Sequence, residues 1–477
     1  MNILLINPYL IRPEGSFRKR TQSCLPSLGL GYIASVLEKE AIRVRIVDTQ
    51  AEEITLEEFP KRLGGENNRY EFIGITAVSS TINTALKMAR ICKQVFQRSK
   101  IVLGGVHPTV IPEEVLANEF VDYVIRGEGE YSFLELAQGK KVNDILGLSY
   151  KRNGDIVHNP LREPIEDLDA LPFPAYHLMP IKRYHPTPGL YKRLPGIGII
   201  GSRGCPFKCT YCASQSIWPS GKKVRFRSAE NILEEIKFLI RNFEIKEIFF
   251  HDDMFTARRS LVSALCEKII NGGIDLTWVC MSRVDAIDED ILRLMKAAGC
   301  HQICFGVESA DEQVLKNIKK EISLEQVERT VALTKKVGID VRTSFMLGNP
   351  GETEETLRKT IDFAIKLNPT IASFNITTPY PGTELRSWAK EKGYLKTDDY
   401  SLLESSKCIL ELPTISSETV DLYGQIALKK FYYRPAYILN RIFTMRSLND
   451  LRVVFISAIT AFRILLDKVR LQVSRLS

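Results

Sequence analysis

The chain lacks several features that would place it in a simple class of protein. None of its apolar runs reaches the length of a transmembrane helix without a charge. Its N-terminus carries no basic leader and breaks at Pro8, which predicts a buried strand rather than a signal peptide. It has no low-complexity tract, and 44% hydrophobic with 26% charged residues is typical of a globular protein. Its 477 residues predict more than one domain.

The charge and cysteine content narrow the expected partners and location. The formal net charge is +8, but through most of the chain the basic residues are spread rather than arranged in a stripe with aromatic side chains. We therefore predict no nucleic-acid partner. The ten cysteines are mostly scattered, which indicates a reducing compartment rather than a disulfide framework. We expect a cytoplasmic location.

One loop concentrates three of the cysteines. Cys205, Cys209 and Cys212 are separated by three and then two residues, just after an apolar run. A cubic iron-sulfur cluster is usually held by four thiolates, so a loop with three leaves one iron open to a substrate or cofactor. A structural zinc site needs a fourth Cys or His nearby, but downstream the next ones are His251 and Cys266. The spacing favours a [4Fe-4S] cluster.

The same loop resembles the signature of the radical S-adenosylmethionine (SAM) enzymes. That signature is Cys-x3-Cys-x2-Cys with an aromatic residue, here Tyr211, before the last cysteine. In the family the open iron binds the amino and carboxylate groups of SAM, and electron transfer cleaves SAM to a 5'-deoxyadenosyl radical. The resemblance implies that Phe207 and Tyr211 contribute to SAM binding.

Short apolar runs alternate with helical patterns in the first part of the chain. The runs lie at residues 3–6, 44–47, 72–78, 101–103 and 123–125. This alternation predicts a Rossmann-like α/β domain, with a parallel sheet whose ligands bind beyond the carboxyl ends of the strands. The pair Gly104 and Gly105 would let a ligand approach the backbone closely, although a simple strand-to-helix turn explains it equally well.

The loops after these strands resemble the cobalamin-binding domain that precedes the radical domain in one radical SAM subfamily. The resemblance implies cobalamin contacts from Pro8, Ser79, Ser80, Gly104, Gly105, Val106, His107, Arg126, Gly127 and Glu128. The chain has no histidine before His107, so the loop after the first strand offers no axial imidazole to cobalt. This agrees with the His-off cobalamin of that subfamily.

Residues 196–395 predict a partial (β/α)6 barrel that carries its chemistry at the carboxyl ends of the strands. Asp252 and Asp253 follow the second strand and fit acid/base or metal-ligand roles, although a helix N-cap explains one of them. By resemblance, these acids approach the methionyl end of SAM and Glu308 binds its ribose. The further SAM contacts are Arg342 at the carboxylate and Tyr380 near the adenine. Helix capping by Glu308 and simple packing of Tyr380 remain the alternatives.

The remaining segments connect and follow these two domains. We predict a cobalamin domain at 1–135, a linker with a hairpin and a proline-rich stretch at 136–195, and a helical C-terminal domain at 396–477. Arginines interrupt the apolar run 451–463, so it does not span a bilayer. Two interpretations stay open for this end: a helical cap on the barrel, or a basic amphipathic helix on the inner membrane surface, which would indicate a lipid substrate.

The resemblance implies a cobalamin-dependent radical SAM enzyme, a methyltransferase acting on an unactivated carbon. In such an enzyme one SAM methylates cobalamin, a second SAM yields the radical, and the substrate radical collects the methyl group. The expected partners are a small-molecule or lipid substrate and a low-potential electron donor. The alternatives are a non-methylating enzyme similar to the anaerobic porphyrin cyclases and a cobalamin-binding sensor.

Overall fold

The computed structural model describes residues 1–10, 23–63, 69–187, 189–217, 224–403 and 407–444. The predicted amphipathic run 451–463 lies outside them. Across the described ranges, no helix is both long enough and apolar enough to cross a membrane.

A seven-stranded sheet organises the N-terminal part, in the order β2-β1-β3-β4-β5-β6-β7. Its strands are β1 (Asn2–Asn7), β2 (Arg43–Asp48), β3 (Phe72–Thr76), β4 (Lys100–Gly104), β5 (Tyr123–Ile125), β6 (Leu148–Arg152) and β7 (Asp155–His158). The first five pair in parallel, and β6 and β7 add an antiparallel hairpin to the edge. The predicted parallel sheet and hairpin are confirmed.

Helices cover both faces of this sheet, which explains why its central strands are continuous apolar runs. They are Leu28–Lys39, Phe59–Arg62, Ile82–Val95, Val106–Val110, Pro112–Ala117 and Glu130–Ala137. Successive residues of β1 point to opposite faces, so Leu4 and Leu5 belong to two separate cores. The core that contains Leu5 continues into the second half of the molecule, whereas the other is confined to the first domain.

The second half is built on six parallel strands in the order β15-β14-β13-β12-β11-β8. These are β8 (Gly196–Ile199), β11 (Glu247–Phe250), β12 (Thr277–Ser282), β13 (Cys300–Glu308), β14 (Asp340–Leu347) and β15 (Ile371–Ile376). The intervening helices are Ser214–Ile217, Ala229–Phe243, Arg259–Asn271, Glu289–Ala297, Glu312–Asn317, Leu324–Lys336 and Glu354–Leu367. The predicted partial barrel is confirmed. A short antiparallel ribbon, β9 (Ser202–Arg203) with β10 (Arg225–Phe226), flanks the cysteine loop.

The segment between the two sheets contacts both of them. The Tyr184 hydroxyl donates to Asp48 Oδ2 at 2.9 Å in the first domain, and the Tyr176 hydroxyl donates to Glu235 Oε1 at 2.8 Å in the second. Both tyrosines are buried. The linker therefore packs as part of one continuous core rather than as a tether.

The last described helices close the open edge of the barrel. They are Ser417–Tyr432 and Pro435–Thr444, and the helix Glu384–Glu391 precedes them. The Tyr432 hydroxyl accepts from the main-chain nitrogen of Ala372 at 3.2 Å and donates to its carbonyl at 2.8 Å, on the edge strand β15. These helices form a cap on the barrel, as one of the two interpretations expects.

Candidate functional site

The three cysteines lie on one loop held by the barrel. Cys205, Cys209 and Cys212 carry partly exposed thiols. The loop is fixed at its centre, where the Thr210 main-chain nitrogen donates to Ile318 O at 3.1 Å and the Thr210 carbonyl accepts from Leu385 N at 2.9 Å. Burial, together with the nearby Asp253 and the other two thiols, raises the pKa of Cys205 to about 11, against a main-chain hydrogen bond from Phe207 that lowers it.

This donor set fits an iron-sulfur cluster. The three thiols interact electrostatically, yet the described residues contain no group of three or more His, Cys, Asp or Glu side chains placed to hold a single metal ion. A cluster distributes its thiolates over separate irons, which suits this spacing better than one zinc ion does. Three thiolates leave one iron open.

A buried polar network lies beside the loop. Lys320 Nζ donates to Glu308 Oε1 at 2.9 Å, and the Tyr211 hydroxyl donates to the same oxygen at 3.2 Å. Glu308 ends β13 with a φ of 67°, an uncommon conformation for a non-glycine residue that turns the chain at this point. Glu308 and Lys320 are buried, so each charge depends on the other.

Arg283 connects this network to the cysteine loop. The Arg283 guanidinium lies 3.6 Å from the centre of the Phe207 ring and donates to the carbonyls of Lys320 at 3.0 Å and Glu321 at 2.9 Å. Arg283 and Lys320 both lower the pKa of Cys209, which burial otherwise raises. The positive charge here favours thiolates, which are the ligands of a cluster.

The two aspartates after β11 have different surroundings. Asp252 is buried, and its carboxylate accepts from the Gly201 nitrogen at 3.0 Å and from the Ser202 hydroxyl. Burial raises the pKa of Asp252 to about 6. Asp253 instead lines a cavity, as does His251. Asp252 therefore ties the end of β8 to the end of β11, and Asp253 is the acid that faces open space.

The cavity has a volume of about 330 Å³ and lies between the carboxyl edge of the first sheet and the mouth of the barrel. The first domain contributes glycine-rich turns at 104–106 and 127–130 together with apolar side chains. The barrel contributes 202–204, which lead directly into Cys205, together with His251 and Asp253. One cavity thus joins the predicted cobalamin loops to the cysteine loop.

Only some of the predicted cobalamin residues reach this cavity. Its lining includes Gly104, Gly105, Val106, Gly127 and Glu128. The other predicted contacts, Pro8, Ser79, Ser80, His107 and Arg126, are not part of the lining. His107 is buried and its Nδ1 lies 3.1 Å from the Ser79 hydroxyl, while Arg126 donates to the carbonyl of Asn159.

Gly105 shows why this turn must contain glycine. Its φ of 97° is in the region that side chains rarely adopt. A Cβ added there would lie 2.8 Å from Thr76 Oγ1 and 2.9 Å from Ala77 O. The turn therefore keeps main-chain atoms at the cavity surface, which fits a large planar cofactor that must approach the backbone closely.

Two family models match the chain: "B12 binding domain" over residues 18–137 and "Radical SAM superfamily" over residues 199–364. An uncharacterized methyltransferase of Pyrococcus horikoshii is 35% identical over 448 residues, covering 93% of this chain and 95% of the relative. The chain belongs to the cobalamin-dependent radical SAM methyltransferases. The assignment confirms the predicted family and its three cofactors.

Other members of this wider group are similar at lower identity. An anaerobic magnesium-protoporphyrin IX monomethyl ester cyclase of Rubrivivax gelatinosus is 29% identical over 374 residues, covering 76% of this chain and 65% of the relative. The structure of the radical SAM methyltransferase TsrM from Kitasatospora setae, with cobalamin and a [4Fe-4S] cluster bound, matches with a TM-score of 0.69 at 17% identity. That match covers 91% of this chain and 89% of TsrM and shows that the fold is shared.

The two remaining residues predicted to bind SAM lie on a later barrel strand and in the turn after the last one. Arg342 on β14 donates through Nε to the Ser373 hydroxyl at 3.3 Å and lowers the pKa of Cys304 on the neighbouring strand. Tyr380 lies in a turn after β15, where its carbonyl accepts from the Thr383 hydroxyl at 2.6 Å. Their roles toward SAM in this methyltransferase stay predictions.

Sequence reasoning missed Lys320, Arg283 and the cavity position of His251. Lys320 and Arg283 are surrounded by ordinary helix and loop patterns, and only the fold brings them to the cysteine loop. A weak signal exists for His251, since it directly precedes the two aspartates at a strand end. The side of the strand that it occupies depends on Gly198, whose Cβ would lie 2.4 Å from His251 Nε2.

Proposed function

We propose that this enzyme transfers a methyl group from SAM to an unactivated carbon of a small molecule. The supporting observation is the shared cavity, whose wall combines the glycine turns of the first domain with the segment leading into Cys205. A carbon atom placed there would be within reach of both cofactors, and holding reactants close together removes much of the entropic barrier.

Within this proposal, Cys205, Cys209 and Cys212 hold the cluster. Tyr211 and Glu308 present a hydroxyl and a carboxylate that suit the ribose of SAM, and Lys320 holds the Glu308 carboxylate in place. When bound, the cluster supplies the electron that cleaves SAM, and cobalamin carries the methyl group.

The first domain would bind cobalamin mainly by shape. The turns at 104–106 and 127–129 offer main-chain atoms, and apolar side chains including Leu5 and Phe133 line the same wall. A mostly apolar wall excludes water from a reactive radical, which limits side reactions. The low-potential electron donor would deliver its electron from outside this cavity.

Exposed apolar residues at the barrel cap support peripheral contact of the enzyme with a membrane. Leu428, Ile438 and Leu439 are 47%, 45% and 54% exposed. Contact of this kind would favour a lipid substrate. Flotation with anionic liposomes tests it: we expect the full chain to be retained and a Leu428→Ser, Ile438→Ser, Leu439→Ser variant to be lost, and equal behaviour of the two chains contradicts it.

Anaerobic reconstitution tests the methyltransferase proposal. The full chain would be loaded with iron, sulfide and hydroxocobalamin, then given SAM and a low-potential reductant. We expect both 5'-deoxyadenosine and S-adenosylhomocysteine, with only the first requiring the cluster in a Cys209→Ala control. Absence of S-adenosylhomocysteine from a chain that holds cobalamin contradicts methyl transfer.

The alternative function is a non-methylating reaction, which the similarity to the Rubrivivax cyclase favours. The same assay separates the two functions. Formation of 5'-deoxyadenosine alone, with bound cobalamin, would support the cyclase-like reaction. Failure to cleave SAM at all would point to a cobalamin-binding sensor.

A further inference from the structure

Four buried charges join the two domains at the wall of the cavity. Arg203 donates through Nη1 to Glu128 Oε1 and through Nη2 to Glu130 Oε1, each at 2.7 Å. Arg225 donates through Nη1 to both oxygens of Glu128 at 2.9 Å. Each of these side chains exposes at most 9% of its surface. We call these four side chains, Glu128, Glu130, Arg203 and Arg225, the interdomain ion network.

The interdomain ion network connects the two predicted cofactor loops directly. Glu128 belongs to the turn after β5 and Glu130 begins the helix Glu130–Ala137, and both residues line the cavity. Arg203 ends β9, and only Gly204 separates it from Cys205. A displacement of the turn after β5 would therefore be transmitted to the start of the cysteine loop.

The linker and the first helix hold the network on its remaining sides. The Ile165 nitrogen donates to Glu128 Oε2 at 2.6 Å, and Arg225 donates to the Ile165 carbonyl at 2.7 Å. The Arg203 guanidinium lies 5.0 Å from the centre of the Tyr32 ring. Glu128 thus has partners on both of its oxygens, which argues against it as a free group for cobalamin.

Stability alone does not account for this arrangement. Buried ion networks contribute little net stability compared with apolar packing of the same volume, because each charge loses its hydration. The planar guanidinium, however, fixes the direction and spacing of the carboxylates that it binds. An interface that must hold two loops at a set distance benefits from this geometry.

We propose that the interdomain ion network consists of positioning residues that set the separation of cobalamin from SAM at the cluster. The inference rests on the proposed function. Methyl transfer moves the methyl cation from the sulfonium of SAM to cobalamin reduced by two electrons, leaving S-adenosylhomocysteine, and it requires close approach. Reductive cleavage takes one electron from the cluster, breaks the bond between sulfur and C5', and yields methionine and 5'-deoxyadenosine after hydrogen uptake. Only the first reaction depends on the separation.

The test uses Glu130→Gln in the full, reconstituted chain. This substitution keeps the shape of the side chain and removes the charge that pairs with Arg203. Since a displacement of about 1 Å can cost about 100-fold in rate, we expect S-adenosylhomocysteine formation to fall about 10- to 100-fold. Formation of 5'-deoxyadenosine should stay unchanged.

Glu135→Gln is the matched control. Glu135 lies on the same helix, and its ion pairs with Arg162 and Lys140 stay within the first domain and the linker. Both products should form in this variant as in the wild type. Arg203→Lys is the second test variant, because one ammonium keeps the charge but cannot reproduce the fork to two carboxylates.

A readout independent of turnover is the magnetic coupling between cob(II)alamin and the reduced cluster, measured by electron paramagnetic resonance. We expect a changed coupling in Glu130→Gln and Arg203→Lys but not in Glu135→Gln. An unchanged product ratio with unchanged coupling would overturn the proposal, as would a parallel fall of both products. A wild-type chain that forms no S-adenosylhomocysteine would instead contradict the proposed function.

Discussion

The two domains line the cavity with different kinds of residues. The wall from the first domain consists mainly of glycine turns and apolar side chains, such as Gly104, Gly105 and Phe133. The barrel side contributes polar side chains to the lining, such as Arg203, His251 and Asp253. Outside the lining it places further charged groups around the cysteine loop, with Lys320 bound to Glu308 at 2.9 Å and Arg283 stacked on Phe207. Under the proposed function, this difference predicts that the first domain recognises its cofactor mainly by shape and the barrel mainly by charge.

The edges of the two sheets are also covered in different ways. The antiparallel hairpin β6–β7 covers one edge of the first sheet with main-chain hydrogen bonds. The barrel edge at β15 is covered by a side chain, Tyr432. We therefore expect substitutions to destabilise the first domain chiefly when they add side-chain volume. We expect substitutions to destabilise the barrel chiefly when they remove a polar partner.

The largest expected effect is that of Cys209→Ala, which removes a cluster ligand from the charged wall. Loss of an outer-shell partner of a metal typically costs roughly 10- to 100-fold, so loss of the ligand itself should cost more than about 100-fold in 5'-deoxyadenosine formation. Hydroxocobalamin binding, followed by visible absorption, should be unchanged. A variant that loses both 5'-deoxyadenosine formation and hydroxocobalamin binding would contradict the view that the two domains bind their cofactors independently.

Lys320→Met tests the charge on the barrel side. The Lys320 and Glu308 side chains are 8% and 7% exposed, and an unpaired buried charge destabilises a fold by about 3–5 kcal/mol. We expect the free energy of unfolding of Lys320→Met, measured by chemical denaturation, to fall by this amount. We also expect the variant to bind SAM more weakly.

The adjacent lysine supplies the control for that substitution. Lys319 pairs with Glu384 at the surface, where the two side chains are 47% and 57% exposed, so Lys319→Met should cost less than about 1 kcal/mol. Equal losses in the two variants would show that the buried pair has no special role.

Gly105→Ala tests shape on the other wall. The added methyl group would meet Thr76 and Ala77 at 2.8–2.9 Å, and overpacking of this kind costs about 1–3 kcal/mol. Hydroxocobalamin affinity should fall, and cluster assembly should be unaffected. Gly139→Ala is the control, since Gly139 also has a positive φ of 76° but no atom within 4 Å of the added Cβ. Similar results for both alanines would attribute the effect to backbone strain alone.

The smallest expected effect is that of Tyr432→Phe at the barrel edge. It removes a hydroxyl that bonds both main-chain groups of Ala372, and a net loss of about 1 kcal/mol is expected in thermal unfolding. Tyr433→Phe, at a neighbouring site that is 39% exposed, should change little. A larger loss at Tyr433 than at Tyr432 would contradict the edge-closing role.

Local patterns predict the fold well because buried parallel strands have a strong local signal. The residues of the strand Glu247–Phe250 are all buried and helices flank it on both sides, so a short apolar run between helical patterns is enough to indicate it. The cysteine loop is also local, because three ligands within eight residues need no tertiary information. Both features are fixed by residues adjacent in sequence.

The charged part of the site was less predictable because its partners are distant in sequence. Glu128 and Arg203 are 75 residues apart, and neither has a neighbouring residue that indicates the pairing. Asp252 and Asp253 look equivalent in sequence, yet only the fold determines that Asp252 is turned toward the Gly201 nitrogen and Asp253 toward the cavity. Position at a strand end thus predicts proximity to a site but not the direction of a side chain.

The most direct test of the shared cavity is electron paramagnetic resonance of the full wild-type chain loaded with both metal cofactors. After reduction, cob(II)alamin and the reduced cluster are both paramagnetic, so their signals report whether the two centres are close. We expect magnetically coupled signals in the wild-type chain, and an uncoupled cob(II)alamin signal alone when Cys209→Ala removes the cluster. Two uncoupled signals in the wild-type chain, with both cofactors bound, would contradict it.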